Sequence, residues 1–161
     1  PLNICITVFG QVPEHHALRR SAARVGDDIY VSGTLGDARL ALEVFRGGAS
    51  LSAAEFAAVR QRMERPTPRV ALGVALRGVA HAAADVSDGL LGDLGHILRK
   101  SAVGAIVELD ALPRGAVLAA QTPAMQRLCL LTGGDDYELL FTAAPADRTA
   151  VEDAAGMIPV Q

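Results

Sequence analysis

Two short acidic segments constrain this chain more than any other feature, because each lies at the boundary of an apolar helix or strand. The first, residues 85–97 (DVSDGLLGDLGHI), places three carboxylates, a hydroxyl and an imidazole within twelve residues. The second, residues 133–138 (GGDDYE), lies about fifty positions further along. Carboxylate pairs of this kind bind hard cations, and hard cations in proteins commonly accompany phosphates. The pattern therefore makes a metal or phosphate site one interpretation to weigh against helix capping and polar turns.

Composition limits the classes of protein to consider. The 161 residues are half apolar, which is enough for one domain with a sizeable core. A net charge of −3 argues against a nucleic-acid partner. The chain shows neither an apolar run of membrane-spanning length nor a signal-peptide pattern. Cys5 and Cys129 lie far apart within apolar runs, so they are predicted to be buried, reduced thiols of a cytoplasmic protein.

Hydrophobic patterning predicts interleaved strands and helices. Strands are predicted over residues 3–12, 28–32, 105–109 and 137–142. Helices are predicted over residues 38–45, 53–64, 70–84, 88–100 and 145–155, with a weak helix over 113–120 and an apolar run of undecided type over 126–131. Ser52 and Glu55 form a capping-box pattern, and residues 158–161 resemble the start of a further strand. The interleaving favours a layered α/β or α+β fold.

Asp85 and Asp88 have two interpretations. If a helix begins near Ser87, both carboxylates can face one point, as metal ligands must, while Ser87 and the free N–H groups of the helix start favour a phosphate. Ordinary helix capping explains the same residue types, since Asp and Ser are favoured N-cap residues. Gly89 slightly favours a metal or phosphate site, because glycine is unfavourable at the start of a helix unless another group approaches its backbone closely.

The remaining polar residues of the first segment are Asp93 and His96. They lie one helical turn apart, so they are expected to pair on one face. His96 is interpreted as structural rather than as a ligand, because no second His or Cys stands at zinc-binding spacing. No P-loop, Rossmann or nucleophile-elbow glycine motif is present.

The second segment also has two interpretations. Asp135 and Asp136 follow a glycine turn, where adjacent carboxylates can present oxygens in two directions to a ligand. A polar turn before an edge strand explains the same residues. In that second case Glu138 is expected to point away from Tyr137, because successive strand residues face opposite sides.

Taken together, four blocks resemble one family. The blocks are GDDIYVSGTLGDA, RPTPRV, DVSDGLLGDLGHIL and GGDDYELLFT. Their order and spacing are similar to those of bacterial thiamine-monophosphate kinase, which belongs to the superfamily of aminoimidazole ribonucleotide synthetase. The resemblance covers roughly residues 7–143. It implies an α+β fold, in which helices pack on a mixed β-sheet with a partial ferredoxin-like likeness.

The resemblance also implies an activity. Enzymes of this family use ATP and Mg²⁺ to phosphorylate thiamine monophosphate to thiamine diphosphate by direct transfer, without a covalent enzyme nucleophile. It implies that Asp85 and Asp88 are magnesium ligands, that Ser87 contacts ATP and that Asp135 contacts the substrate. The family typically has Glu at the position of Asp135, so the side chain here is one methylene shorter.

Proteins of this family are about twice as long as this chain. The resemblance therefore implies that residues 1–161 are a single C-terminal domain, trimmed at both ends, that lacks the N-terminal ATP-binding domain and is inactive alone. It also implies a homodimeric full-length protein, with neither nucleic acid nor membrane as a partner. Two alternatives stay open. One is another ATP-using enzyme of the superfamily, for purine biosynthesis, selenium activation or hydrogenase maturation. The other is a non-catalytic assembly module whose acidic clusters only cap helices.

Overall fold

The computed structural model describes residues 2–161, and its centre is a three-stranded antiparallel sheet. The strands are β1 (Asp28–Val31), β2 (Ala82–Asp85) and β3 (Leu139–Ala143), in the spatial order β1-β3-β2. Strand β3 is central although it is last in sequence, because its residues LLFTA are apolar enough to be buried on both faces. Both strand pairs of the sheet are antiparallel. Parallel pairing occurs only as isolated bridges among the described residues, for example between Arg19 and Ala82.

Seven α-helices surround this sheet in the described residues. They are α1 (Asp37–Phe45), α2 (Ala53–Glu64), α3 (Val70–Ala75), α4 (Leu90–Ser101), α5 (Ala116–Ala119), α6 (Pro123–Thr132) and α7 (Arg148–Ala155), with 3-10 turns at Leu109–Ala111 and Pro145–Asp147. The predicted capping box of α2 is confirmed: the Ser52 hydroxyl accepts from Glu55 N–H, and the Glu55 carboxylate accepts from Ser52 N–H. None of these helices is both long and apolar enough to cross a membrane.

The helices cover both faces of the sheet and make three layers. Alternate residues of β3 point to opposite faces, so Leu140 joins one apolar cluster and Phe141 joins the other. The Leu140 cluster contains side chains from α1, α2, α4, α5 and α6. The Phe141 cluster contains Leu72 of α3 and Val151 of α7. This arrangement confirms the α+β class with helices packed on a sheet.

The predicted strand over residues 3–12 is wrong. This segment has no regular secondary structure, and Ile6 and Phe9 are exposed. An alternating apolar pattern forms a strand only beside a partner strand, and none of the described residues pairs with it. The prediction that Cys5 is buried is wrong for the same reason, whereas Cys129 is buried as expected. Both thiols are free.

Two further element predictions are wrong. The helix predicted over residues 70–84 ends at Ala75, and residues 82–85 form strand β2 instead. Alanine favours helix intrinsically, but pairing of this segment with β3 overrides that preference. The strand predicted over 105–109 is absent from the described structure, where Ile106 is exposed and a 3-10 turn begins at Leu109.

The structure also shows the conformation of two further segments discussed from the sequence. Residues 126–131 lie in α6, which begins with Thr122 as N-cap and Pro123 in its first turn. Residues 158–161, which resemble the start of a strand, form no named strand but pair locally, since Val160 makes an isolated bridge to Ser32 and the backbones of Val31 and Gln161 exchange hydrogen bonds.

Candidate functional site

The two acidic segments lie side by side, although about fifty residues separate them in sequence. Asp135 N–H donates to the Ser87 carbonyl oxygen at 3.0 Å, and Tyr137 N–H donates to the Val86 carbonyl oxygen at 2.9 Å. Val86 N–H donates in return to the Glu138 carbonyl oxygen at 2.9 Å. These bonds continue the pairing of β2 with β3 beyond the ends of both strands. The sequence-predicted residues Asp85, Ser87, Asp88 and Asp135 therefore occupy two adjacent segments.

The capping interpretation of the first segment is wrong. The N-cap of α4 is Gly89, which has no side chain to accept from the helix. The backbone N–H groups of Ser87 and Asp88 donate instead to Asp93 Oδ2, at 2.9 Å each. Asp93 is buried in the first turn of α4. One buried carboxylate thus determines the shape of this loop, and the Asp85 and Asp88 carboxylates are not used as caps.

The predicted pairing of Asp93 with His96 is also wrong. His96 is exposed, and its Nδ1 lies 3.1 Å from Nη2 of Arg99 on the same helix. Asp93 turns inward because two backbone N–H groups lie within hydrogen-bond distance of its carboxylate. The interpretation of His96 as a structural residue stays a prediction, as does the absence of a ligand role.

Gly89 has a backbone conformation and a neighbour that other residues do not tolerate. Its φ is +109°, and an added Cβ would lie 2.9 Å from the carbonyl carbon of Thr132. The close approach that glycine indicated in the sequence is therefore that of the peptide at residues 132–133, immediately before the second acidic segment. Gly89 allows the two segments to make contact.

The second segment alternates between exposed and buried side chains. Asp135 and Tyr137 are exposed and have left-handed φ values of +66° and +50°. The Tyr137 hydroxyl donates to Asp135 Oδ1 at 3.2 Å. Asp136 and Glu138 are buried, which confirms that Glu138 points away from Tyr137. A non-glycine residue in this backbone region costs about 1 kcal/mol, so contacts of the two buried carboxylates must stabilise this conformation.

Glu138 is at the centre of a buried ion network. Its Oε2 accepts from Arg69 Nε at 2.6 Å and from the Ser32 hydroxyl at 2.5 Å, and its Oε1 accepts from Arg69 Nη2 and Arg62 Nη2. Burial raises the pKa of the Glu138 carboxyl, but the hydrogen bonds from Arg69, Ser32 and Arg62 outweigh burial and hold it below its ordinary value. The two arginines belong to α2 and to the RPTPR block. The network therefore connects that block to the second acidic segment.

Asp136, unlike Glu138, is buried without an arginine bound to its carboxylate. Its Oδ2 accepts from Gly36 N–H at 2.8 Å, while its Oδ1 is buried and has no partner among residues 2–161. Burial, with the nearby Asp37 carboxylate, raises the pKa of Asp136 to about 7. Burial also raises the pKa of Asp37, whose Oδ2 accepts from the Thr34 hydroxyl at 3.2 Å. About one hundred residues separate Asp37 from Asp136, so no local sequence signal indicated this pair.

The exposed carboxylates have the chemistry of a magnesium site that needs further ligands. Asp85 and Asp88 are both exposed, and Asp85 Oδ1 lies 4.0 Å from Arg20 Nη2. The sequence had not singled out Arg20. No three His, Cys, Asp or Glu side chains in the described part of the chain stand together as a metal site. Magnesium in proteins is usually bound by one or two carboxylates together with phosphate and water oxygens. The residues present therefore fit magnesium bound together with a phosphate.

Comparison with known proteins identifies the family of this chain. A family model described as "AIR synthase related protein, C-terminal domain" matches residues 24–157. The chain is 43% identical to thiamine-monophosphate kinase from Salmonella typhimurium over 162 residues, covering 99% of this chain and 50% of that protein. The chain thus spans about half the length of this relative, and similar shares of the other thiamine-monophosphate kinases it matches.

Solved structures agree with the sequence comparison. The crystal structure of thiamine-monophosphate kinase from Stenotrophomonas maltophilia K279a has a TM-score of 0.87 and 48% identity, covering 94% of this chain and 50% of that one. A structure of AaThiL complexed with AMPPCP and TMP has a TM-score of 0.70 and 34% identity, covering 80% of this chain and 43% of that one. By sequence, by family model and by fold, the chain belongs to the family of AIR synthase related proteins, as their C-terminal domain.

Proposed function

We propose that residues 1–161 are a single C-terminal domain of a thiamine-monophosphate kinase and supply part of the site where ATP phosphorylates thiamine monophosphate. The observation that carries this proposal is the hydrogen-bonded contact between the backbones of residues 86–87 and residues 135–138, since both of the acidic segments bear exposed carboxylates. Relatives with that activity in their name, and AaThiL in complex with AMPPCP and TMP, support it.

The proposed roles are those that the resemblance to the kinases implies, and the exposure and hydrogen bonding of these residues are compatible with them. Asp85 and Asp88 are exposed carboxylates and would hold Mg²⁺, which neutralises phosphate charge when bound. Asp93 has no such role in our proposal, because its buried carboxylate orients the backbone of the loop. The half-buried Ser87 would contact ATP, and Asp135 would contact the acceptor from the neighbouring segment. Direct transfer between phosphates needs no covalent nucleophile from the chain.

The remaining functional proposals concern the whole protein. Mg²⁺ needs more ligands than Asp85 and Asp88 provide, so we propose that the rest of a longer protein and the bound phosphates supply them. This chain alone would then be inactive. A homodimeric assembly and a cytoplasmic location remain proposals that rest on the resemblance to the kinases.

The test is ADP release by the full-length parent protein with ATP, Mg²⁺ and a panel of acceptors that includes thiamine monophosphate. We expect turnover with thiamine monophosphate alone. The double variant Asp85→Asn with Asp88→Asn should lose Mg²⁺-dependent turnover by about 100-fold or more while its melting temperature stays unchanged. The matched control is Glu152→Gln with Asp153→Asn, which removes two exposed carboxylates of α7 on the opposite face of the sheet.

Three results would contradict the proposal in different ways. Turnover of another acceptor would move the protein to a sister enzyme of the superfamily. If the double variant loses stability without a specific loss of Mg²⁺ dependence, Asp85 and Asp88 have a structural role. If no acceptor of the panel gives ADP release and Mg²⁺ has no effect on nucleotide binding, a non-catalytic assembly module is favoured.

A further inference from the structure

The second acidic segment contains a buried carboxyl group to which the proposed function gives no role. Asp136 lies between Asp135, the proposed contact to the phosphoryl acceptor, and the exposed Tyr137. The Asp136 residue is only 4% exposed, and its Oδ2 accepts from Gly36 N–H at 2.8 Å. Its Oδ1 is buried and has no partner among residues 2–161. Asp136 is therefore a buried acidic group with much of its hydrogen-bonding capacity unused.

Folding alone does not explain an acidic residue at this position. A buried carboxyl group with an unpaired oxygen lowers the stability of the folded state, and the buried Asp37 nearby adds to that cost. Proteins retain groups that oppose folding mainly where function requires them. Asp136 stands directly beside a proposed substrate contact. Its position therefore indicates a role in the site.

The hydrogen bond from Gly36 N–H connects the second acidic segment to a closely packed part of the domain. Gly36 is the N-cap of α1, and an added Cβ there would lie 2.7 Å from Leu118 Cδ2 and 2.9 Å from Cys129 Cβ. The start of the segment also lies against α1, since a Cβ added at Gly133 would lie 2.7 Å from Arg39 Cβ. Helix α1 therefore supports the second acidic segment from the inside of the domain.

The segment needs this support because its backbone is unfavourable on both sides of Asp136. The φ angles of Asp135 and Tyr137 are +66° and +50°, in the left-handed region that costs free energy for residues other than glycine. Such a backbone persists only where surrounding contacts hold it. After Tyr137, the buried ion network of Glu138 provides these contacts. Next to Asp135, the buried contact is that of the Asp136 side chain.

We propose that Asp136 is a positioning residue, which through its bond to Gly36 N–H holds Asp135 in the conformation that contacts the phosphoryl acceptor. The proposal rests on the proposed function, because it concerns the role that Asp135 has there. Without the Asp136 carboxyl group, residues 135–137 relax towards ordinary φ values and the Asp135 carboxylate moves away from the acceptor. Binding of ATP should change much less, because Ser87, its proposed contact, is held by its own bond to Asp93.

The experiment uses the full-length parent protein and measures kcat and KM separately for thiamine monophosphate and for ATP. Asp136→Ala should raise the KM for thiamine monophosphate by about fivefold or more and leave the KM for ATP within about twofold. Asp136→Asn keeps an oxygen that can accept from Gly36 N–H, so it should recover most of the loss. The matched control is Val151→Ala, which opens a cavity in the Phe141 cluster on the opposite face of the sheet and should change neither KM.

A double-mutant cycle tests whether Asp136 acts through Asp135. Once Asp135→Ala has removed the proposed contact, adding Asp136→Ala should raise the KM for thiamine monophosphate by less than about twofold further. If the two losses multiply instead, the proposal is overturned, because Asp136 then affects the acceptor by a route that does not include Asp135.

A second variant keeps the test decisive if Asp136→Ala does not fold. Asp136→Leu fills the buried space but offers no acceptor to Gly36 N–H, so it should give the same rise in the KM for thiamine monophosphate. An unchanged acceptor KM in these variants would overturn the proposal while leaving the proposed function intact. An equal rise of both KM values, or the same rise in Val151→Ala, would overturn it too, because the effect would then be a general loss of structure. Failure of the proposed function is distinguishable, since the unaltered protein would not turn over thiamine monophosphate, and the role of Asp136 would fall with it.

Discussion

At the scale of single residues, the second acidic segment separates two kinds of carboxylate by simple alternation. Asp135 is exposed on the side of the proposed site, whereas Asp136 and Glu138 are buried on either side of Tyr137. The buried pair differ in their partners, since Glu138 has two arginines and Asp136 has one backbone N–H group. Their pKa values shift in opposite directions for that reason. Stability should depend on each of them differently.

Asp136 should make stability depend on pH between its ordinary and its folded pKa. Because burial raises the pKa of Asp136 from 3.8 to about 7, its contribution to the free energy of unfolding is fully present below pH 3.8 and is lost as pH rises to about 7. Relative to Asp136→Asn, which does not ionise, the native protein should lose on the order of 4 kcal/mol between pH 4 and pH 8. Urea unfolding across this range measures the difference. Parallel stability curves for the two proteins would contradict the expectation.

Glu138→Gln should destabilise the fold strongly. The substitution leaves the Arg62 and Arg69 guanidinium groups partly buried without a counter-charge, which should lower the free energy of unfolding by about 3 kcal/mol. Thermal or urea unfolding at pH 7 measures this loss. The control is Glu64→Gln, which removes an Arg60–Glu64 pair of the same 2.6 Å length on the exposed face of α2 and should cost about 0.5 kcal/mol. Similar losses in both variants would show that burial does not determine the effect.

At the scale of elements, β2 shows where local preference and tertiary pairing disagree. The segment AAAD has the composition of a helix, yet its Ala83 lies opposite Phe141 in the sheet. Small side chains on β2 allow the layers above and below the sheet to approach it, because Ala82 belongs to one cluster and Ala83 packs against the other. The same strand ends at Asp85, so the pairing that overrides helix preference also positions the first acidic segment.

The start of α4 offers a matched pair of glycine substitutions. Gly89→Ala should destabilise by about 2 kcal/mol or more, because alanine is strained at a φ of +109° and its Cβ would meet the Thr132 backbone at 2.9 Å. Gly92→Ala, three positions later inside the helix, should be neutral or stabilise by about 0.5–1 kcal/mol, since its Cβ would meet only Asp88 Cβ at 3.9 Å. Chemical denaturation of both variants measures the contrast. Equal effects would mean that the two acidic segments do not need the close approach at Gly89.

At the scale of the whole molecule, the folded body begins after an extended apolar segment. Residues 2–12 alternate apolar and other side chains but make no strand pairs in the described structure, and Phe9 is 92% exposed. From residue 28 onwards the chain forms the sheet and both apolar clusters. The stability of this chain should therefore not depend on residues 2–12.

Limited proteolysis tests this division. Chymotrypsin should cleave this chain first after Phe9, because cleavage needs an extended and accessible backbone. Phe141, which is fully buried in β3, should resist cleavage until the protein unfolds. Mass spectrometry identifies the first product, and circular dichroism should show its helix content unchanged. First cleavage within the body, or loss of helix after cleavage at Phe9, would contradict the expectation.

Local signals in the sequence were enough to predict part of the structure correctly. The capping box of α2 uses two residues three positions apart, and it was predicted correctly from them. Periodicities along the chain narrowed the fold to a layered α/β or α+β class, the resemblance to the family selected α+β, and Gly89 indicated a close approach to the backbone. The family blocks named Asp85, Ser87, Asp88 and Asp135, whose roles stay predictions. Each of these inferences depends on residues that are near one another in sequence.

The tertiary structure decided what local signals cannot contain. Whether residues 82–85 form a helix or a strand depends on β3, more than fifty positions away. Asp93 binds the backbone of the preceding loop rather than His96, and Asp136 lies near Asp37 across about one hundred residues. Pairing, burial and the electrostatics of buried groups depend on which distant segments meet, whereas propensity and capping depend on neighbours. That difference in range is the physical reason why the sequence alone indicated the acidic segments and only the fold showed which carboxylates are buried and which are exposed.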